Sequence, residues 1–242
     1  MERIVVEGFV INETPYKESS KIINILTREL GGIGLLARGA KSVKSKLRVG
    51  TNKLDYSHFE ISYKKDKLST LLDVRIIDNF KNIKFDLEKT TYMYYLVDLI
   101  AQINKHEHNI DTFDILLSAI KKINDGFNPS IITNIVEVKM LKYLGVMPIL
   151  DRCSKCGGKN DIITLSSKCG GLVCSNCKTN EYIVNINTIK IIRMLYYVDI
   201  DKITKLNISD IVIKQINKFI KEYYESYTGI YIKNKNFIDY IK

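Results

Sequence analysis

Two cysteine pairs of the same spacing, Cys153-x2-Cys156 and Cys174-x2-Cys177, stand 17 residues apart. Each pair can close a tight knuckle that turns two sulfurs toward one point. Two such pairs supply the four thiolates of a tetrahedral zinc site, with Zn–S distances of about 2.3 Å. Gly157-Gly158 follows the first pair and Gly170-Gly171 precedes the second, and glycine lets the backbone wrap around the sulfurs. A filled four-sulfur site has no open position for catalysis. One structural Zn²⁺ is therefore expected, stapling a ribbon too short to build a core of its own. The doubled pair, with no βαβ pattern around it, argues against a redox C-x-x-C motif. All five cysteines lie between positions 153 and 177, and an odd, clustered set favours metal over a disulfide scaffold. The fifth, Cys169, lacks an x2 partner and reads as a spare thiol.

The chain on either side has two textures. Residues 4–11, 21–27, 33–37, 55–63 and 68–77 are rich in β-branched or alternating apolar residues. Five short strands without a long helix predict a small closed barrel, and the five-stranded OB-fold is the favoured form. From Phe85 the spacing turns helical. One stretch runs to about His106 and a second covers 112–124. A third has Asn128 as N-cap, Pro129 at the first helical position and Gly145 as its stop. Two more helices are expected over 188–197 and 209–224, with Ser209 as N-cap of the second. The expected fold is α+β: an N-terminal OB-fold β-barrel over 1–80, an α-helical bundle over 81–150 and 180–242, and the zinc ribbon of 151–179 inserted in that bundle.

The net charge is +10 and the sequence pI is near 9.2, which favours polyanionic partners. Residues 1–84 carry 16 basic and 10 acidic side chains, so +6 of the surplus sits on the expected barrel. Between Leu30 and Leu54 there is no acid, only Arg38, Lys41, Lys44, Lys46, Arg48 and Lys53. Gly39, Ser42, Ser45 and Gly50 suit an extended, mobile loop there. Such a loop on a barrel can contact successive phosphates while barrel aromatics stack bases. No apolar run reaches the roughly 18–20 residues of a membrane span. Glu2 and Glu7 interrupt the first apolar stretch, so it does not read as a signal peptide. A cytoplasmic protein with no membrane partner is expected.

Signals for catalysis are thin. The run from Gly34 to Ser42 nearly spells a phosphate-binding P-loop, but Ala40 separates Gly39 from Lys41. In a true P-loop the lysine follows the glycine directly at the start of a helix. His58 reads as a strand residue, and His106 and His108 do not share a helix face. No nucleophile has an evident base. Tyr223, Tyr224, Tyr227 and Tyr231 read as helix packing and surface.

Three stretches together are similar to the RecO family of bacterial DNA repair and recombination mediators. They are Thr14-Pro15-Tyr16-Lys17-Glu18 with the segment 22–30, Leu36-Ala37-Arg38-Gly39-Ala40-Lys41-Ser42, and LKYLGVMPILDRCSKC over 141–156 with Gly170 to Cys174. The resemblance implies a non-enzymatic mediator of the RecF pathway that binds single- and double-stranded DNA and anneals strands. It implies RecR as partner, binding of the C-terminal tail of the single-strand DNA-binding protein, and indirect action on RecA. No cofactor beyond zinc is implied. Carried onto this chain, DNA contact falls on Arg38, Lys41, Lys44, Lys46 and Arg48, and metal ligation on Cys153, Cys156, Cys174 and Cys177. The competing reading is an accessory factor of transcription or translation whose ribbon itself contacts nucleic acid or a polymerase subunit.

Overall fold

The structure is a computed structural model and describes residues 2–105 and 107–230. It falls into two compact units, one reaching to Asn124 and one starting at Asp125. His106 and Tyr231 lie outside the described residues.

The first unit is built on five strands, β1 (Glu2–Tyr16), β2 (Ser20–Thr27), β3 (Gly31–Ala37), β4 (Tyr56–Tyr63) and β5 (Ser69–Asp78). They close in the order β1-β2-β3-β5-β4, antiparallel throughout except for β3 beside β5. This is the OB-fold expected from the alternation. Closure depends on β1, whose first half pairs with β4 and whose second half pairs with β2. A bulge between Val10 and Asn12 bends the strand from one partner to the other. At Gly8 the two ladders meet, and a Cβ there would lie 2.4 Å from the Leu26 carbonyl oxygen. Val6, Val10, Ile23, Ile25, Leu35, Phe59, Ile61 and Leu71 fill the interior.

Three helices follow in the same unit: the single turn α1 (Lys81–Lys84), α2 (Leu87–Ile103) and α3 (Ile110–Asn124). Asp86 caps α2 by accepting from the Lys89 N–H at 3.1 Å. Phe9, on the outer face of β1, stacks on Tyr56 at 4.7 Å and meets Phe80 and Phe113 at 6.2 and 5.7 Å. This aromatic cluster fixes the helices to the barrel wall, since such rings bury large areas in defined geometry. Arg28 adds a two-pronged contact to Asp114 at 2.7 and 2.9 Å. His108 Nε2 sits 2.9 Å from the Arg28 carbonyl oxygen, so this histidine is a packing residue.

The second unit is organised around α4 (Pro129–Tyr143), which is buried on nearly every side. The Asn128 side chain caps it by accepting from the Ile131 N–H at 3.2 Å. Gly145, at φ 70°, ends it as the sequence predicts. There the Val146 and Gly145 N–H groups donate to the Leu141 and Lys142 carbonyls, a Schellman motif. Helices α5 (Ile186–Tyr197) and α6 (Asp210–Tyr227) pack on α4 and on each other. Tyr224 is buried and donates to the Glu137 carbonyl at 2.9 Å. Ser209 occupies the N-cap position of α6, but its hydroxyl makes no capping bond. Its carbonyl accepts from the Val212 and Ile213 N–H groups. Between α4 and α5 lie β6 (Ile162–Ser166) and β7 (Gly171–Cys174), an antiparallel ribbon.

Gly8→Ala is expected to destabilise the first unit by about 2 kcal/mol or more, because the new methyl meets backbone that cannot step aside. Urea unfolding followed by circular dichroism measures this, and wild-type stability would contradict the account of how β1 closes the barrel.

Candidate metal centre and nucleic-acid interface

The backbone of the ribbon brings its two cysteine knuckles face to face. In the first, the Gly157 N–H donates to the Cys153 carbonyl at 2.9 Å and the Cys153 N–H donates to the Gly158 carbonyl at 2.7 Å. Gly157 takes φ 75°, which the turn requires and glycine adopts without strain. In the second, the Cys177 and Lys178 N–H groups both donate to the Cys174 carbonyl, at 3.2 and 3.0 Å. As a result the Sγ atoms of Cys153, Cys156, Cys174 and Cys177 all lie within 4.8 Å of one another. The Cys156 and Cys174 sulfurs are 3.8 Å apart. A tetrahedron of thiolates around a metal at 2.3 Å has an edge of about 3.8 Å, so the donor set fits a metal ion of that size.

The thiols also show the charge problem that a cation would solve. Burial raises the Cys153 thiol, but N–H donors from Cys156, Cys174 and Lys155 outweigh it and bring its pKa down to about 6. The Cys177 thiol moves the other way, up to about 12, chiefly because it hydrogen-bonds to the Cys156 and Cys174 sulfurs. Four sulfurs this close cannot all ionise without a counter-charge, and a divalent ion at their centre supplies it.

Cys169 stands apart from this cluster. Its thiol donates to Glu181 Oε1 at 3.3 Å. Glu181 itself is held down at about 2, first by the Thr179 N–H and its own N–H, then by the Cys169 thiol. The fifth cysteine is therefore engaged elsewhere.

One residue of the ribbon was not readable from spacing. Ile149, six residues after α4, runs parallel to β7 as a third strand of one bridge. Its N–H donates to the Gly170 carbonyl and its carbonyl accepts from Leu172, both at 2.9 Å. A Cβ on Gly171 would fall 2.2 Å from that Ile149 oxygen. Gly171 is thus required for close backbone approach, and the run Pro148-Ile149-Leu150 is the strap that holds the ribbon. Arg193 on α5 secures the strap by donating to the Leu150 carbonyl at 2.7 Å. On the other side, Tyr227 donates to the Ser167 carbonyl at 2.9 Å and Ser167 donates to Glu222 at 3.0 Å.

The basic stretch lies between β3 and β4, at one end of the barrel. It is not extended. Successive turns lead into a 3-10 turn at Lys46–Arg48, capped by the Ser45 hydroxyl at 3.2 Å from the Leu47 N–H. The Lys41 N–H donates to the Ser19 carbonyl at 2.8 Å. Buried Lys21 reaches the Thr51 carbonyl at 2.8 Å while pairing with Glu13 at 2.5 Å. Gly50, at φ 88°, passes so close to β5 that a Cβ would meet Val74 at 2.8 Å. These ties come from residues far away in sequence, so local composition could not reveal them. Arg38, Lys41, Lys44, Lys46 and Arg48 all end exposed. Among the described residues none of the five forms an ion pair. Lys41 and Arg48 border a cleft of ≈ 470 Å³ together with Lys21 and Asn52. The P-loop likeness fails in structure as well, because Gly39 to Ser42 form turns and no helix starts at Lys41.

Fold and sites together define a protein class: an OB-fold barrel with a basic loop, joined in one chain to a helical unit that carries a four-cysteine ribbon. Residues 1–80 match the model of the recombination protein O N-terminal domain, and residues 84–236 match that of its C-terminal domain. The chain belongs to the recombination protein O family. Similar proteins include the DNA repair protein RecO of Listeria monocytogenes serotype 4b, 32% identical over 96% of this chain and 92% of that one. That of Halalkalibacterium halodurans is 32% identical over 98% of this chain and 94% of that one. That of Bacillus cereus strain AH187 is 32% identical over 97% and 96%. Among the described residues no helix is long and apolar enough to cross a membrane.

Because the ligands bind as thiolates, one metal ion per chain should be lost on acidification and regained on return to neutral pH. Cys174→Ser should lose it at neutral pH. Hydrogen exchange should then quicken over β6 and β7 while the barrel amides stay protected, with elemental analysis reporting the metal.

Proposed function

We propose that this chain is a non-enzymatic, DNA-binding mediator of recombinational DNA repair. Arg38, Lys41, Lys44, Lys46 and Arg48 are its phosphate contacts. Five exposed cations without carboxylate partners on one pinned loop carry this reading. Free cations exchange condensed counterions for phosphates, and a loop already folded loses little entropy on binding. The family membership supports a role in DNA repair and recombination; in the proposed setting the mediator acts on single and double strands, anneals complements, works with RecR and engages the tail of the single-strand DNA-binding protein. RecA loading on coated single strands is the joint result.

The metal in this reading is one Zn²⁺ with a structural role. Four thiolates suit zinc and leave no site for substrate. A zinc ion on four thiolates keeps a charge of −2, which offsets most of the excess of Arg152, Lys155, Lys159, Lys168 and Lys178 over Asp151 and Asp161. A near-neutral ribbon is a poor phosphate binder, which weighs against the ribbon as the nucleic-acid reader. The barrel is then the DNA-binding domain and the ribbon a stapled insert.

Binding to an unstructured oligonucleotide should weaken steeply with salt, with a slope in log–log form of about −3.5 if all five cations engage. Lys44→Glu/Lys46→Glu should cut affinity strongly with folding intact. The chain should also accelerate annealing of complementary strands coated with the cognate single-strand DNA-binding protein. Absence of stimulation, with DNA binding retained, would reduce the protein to a DNA binder and end the mediator reading.

A further inference from the structure

The alternation along β2 places one residue against the pattern. Ile23 and Ile25 belong to the barrel core and are fully buried, and Lys21 has the same parity at the start of the strand. Its side chain is only 8% exposed, at a position where an aliphatic residue would extend the core. A buried ammonium is costly unless it is paired and hydrogen-bonded, so its partners show what it does there. One is Glu13 on β1, at 2.5 Å, whose carboxylate is 40% exposed and supplies the counter-charge. The other is the Thr51 carbonyl, 30 residues further on, at 2.8 Å. Thr51 is itself fully buried and passes the contact on. Its hydroxyl donates to the Leu47 carbonyl at 2.5 Å and lies 3.3 Å from that of Arg48. Those carbonyls belong to the 3-10 turn, where Leu47 packs on the barrel core and Lys46 and Arg48 stay exposed on either side of it. The two residues before Lys21 grip the other end of the same loop. The Ser20 hydroxyl accepts from the Gly39 N–H at 3.2 Å, and the Ser19 carbonyl from the Lys41 N–H at 2.8 Å. Three consecutive residues, 19–21, therefore hold both ends of the basic loop.

We infer that Lys21 is a positioning residue for nucleic-acid binding: it touches no phosphate itself, and through Thr51 it keeps the turn that carries Lys46 and Arg48 in its binding form. The inference rests on the DNA-binding reading above and names a residue outside the loop that sets the strength of that binding. Packing does not ask for a lysine here, because an aliphatic side chain would fill the end of the barrel without desolvating a charge. A methionine at this position would lose the bond to Thr51, and the turn would then be ordered only on binding. Fixing even one freed residue at that step lowers affinity by about tenfold. The exposed cations would all remain, so the number of phosphates engaged would not change.

The test uses the full, metal-loaded chain and a labelled oligothymidylate, with affinity read by fluorescence anisotropy at several salt concentrations. Lys21→Met should keep the urea midpoint of the parent, since half-exposed Glu13 can be hydrated once its partner is gone. Its binding should be about tenfold weaker at every salt concentration, with the log–log slope unchanged. Thr51→Val breaks the same relay one bond later and should give the same loss. The double variant should lose no more than either single one, because both act through one contact. In the free chain, hydrogen exchange over residues 45–51 should quicken in both single variants. Parent-like affinity, or additive losses in the double variant, would overturn the positioning role. So would a slope flattened by about 0.7, the mark of a direct phosphate contact. Should Lys21→Met fail to fold, Thr51→Val decides: weaker binding at the parent slope supports the role and parent-like binding overturns it. If the parent itself binds no oligonucleotide, the DNA-binding reading falls, and that result is distinct from loss of the positioning role alone.

Discussion

Everything in the first unit depends on a single 15-residue strand that serves two neighbours. Because β1 pairs with β4 through its first half and β2 through its second, the sheet closes into a barrel. Gly8 and the bulge after Val10 allow the switch of partner. Closure then dictates where function can sit. The interior is filled with apolar side chains. Phe9 and its aromatic neighbours commit one outer face to α1–α3. The loop between β3 and β4 stays outside both the interior and that face, and it is basic.

The ribbon answers a different physical need. Its buried apolar side chains are few, among them Ile162, Leu165, Leu172 and Val173, and two strands of five and four residues cannot stand alone in water. It is held from within by four sulfurs around one point and from outside by the Ile149 strap, Arg193 and Tyr227. A metal there contributes folding free energy directly. The four-sulfur cluster thus belongs to the second unit, while the basic loop of residues 38–48 belongs to the first.

Much of this was legible in the sequence, and the residues that were not have a common cause. Alternation in 55–63 and β-branched runs in 4–11 and 21–27 reported half-buried strands, because a closed barrel has one inner face per strand. Asn128, Pro129 and Gly145 marked α4 because caps are chemistry of the helix ends themselves. The cysteine spacing marked the cluster for the same reason. What escaped was set at long range. Ile149 joins β7 through contacts with residues some 20 positions on, and Gly171 matters only because that strap crosses it. The glycines and serines of 38–50 read as an open loop, yet contacts from Ser19 and Lys21 tie it into turns. Ser209 sits at an N-cap with its hydroxyl unused, which no local rule distinguishes from a working cap.

The proposed division of labour gives nucleic acid to the barrel and structure to the ribbon. Hydrogen–deuterium exchange of the full, metal-loaded chain with and without a saturating single-stranded oligonucleotide tests it most directly. The account predicts new protection over residues 38–48 and no change over 151–179. Protection concentrated in the ribbon, with the barrel loops unaltered, would contradict it.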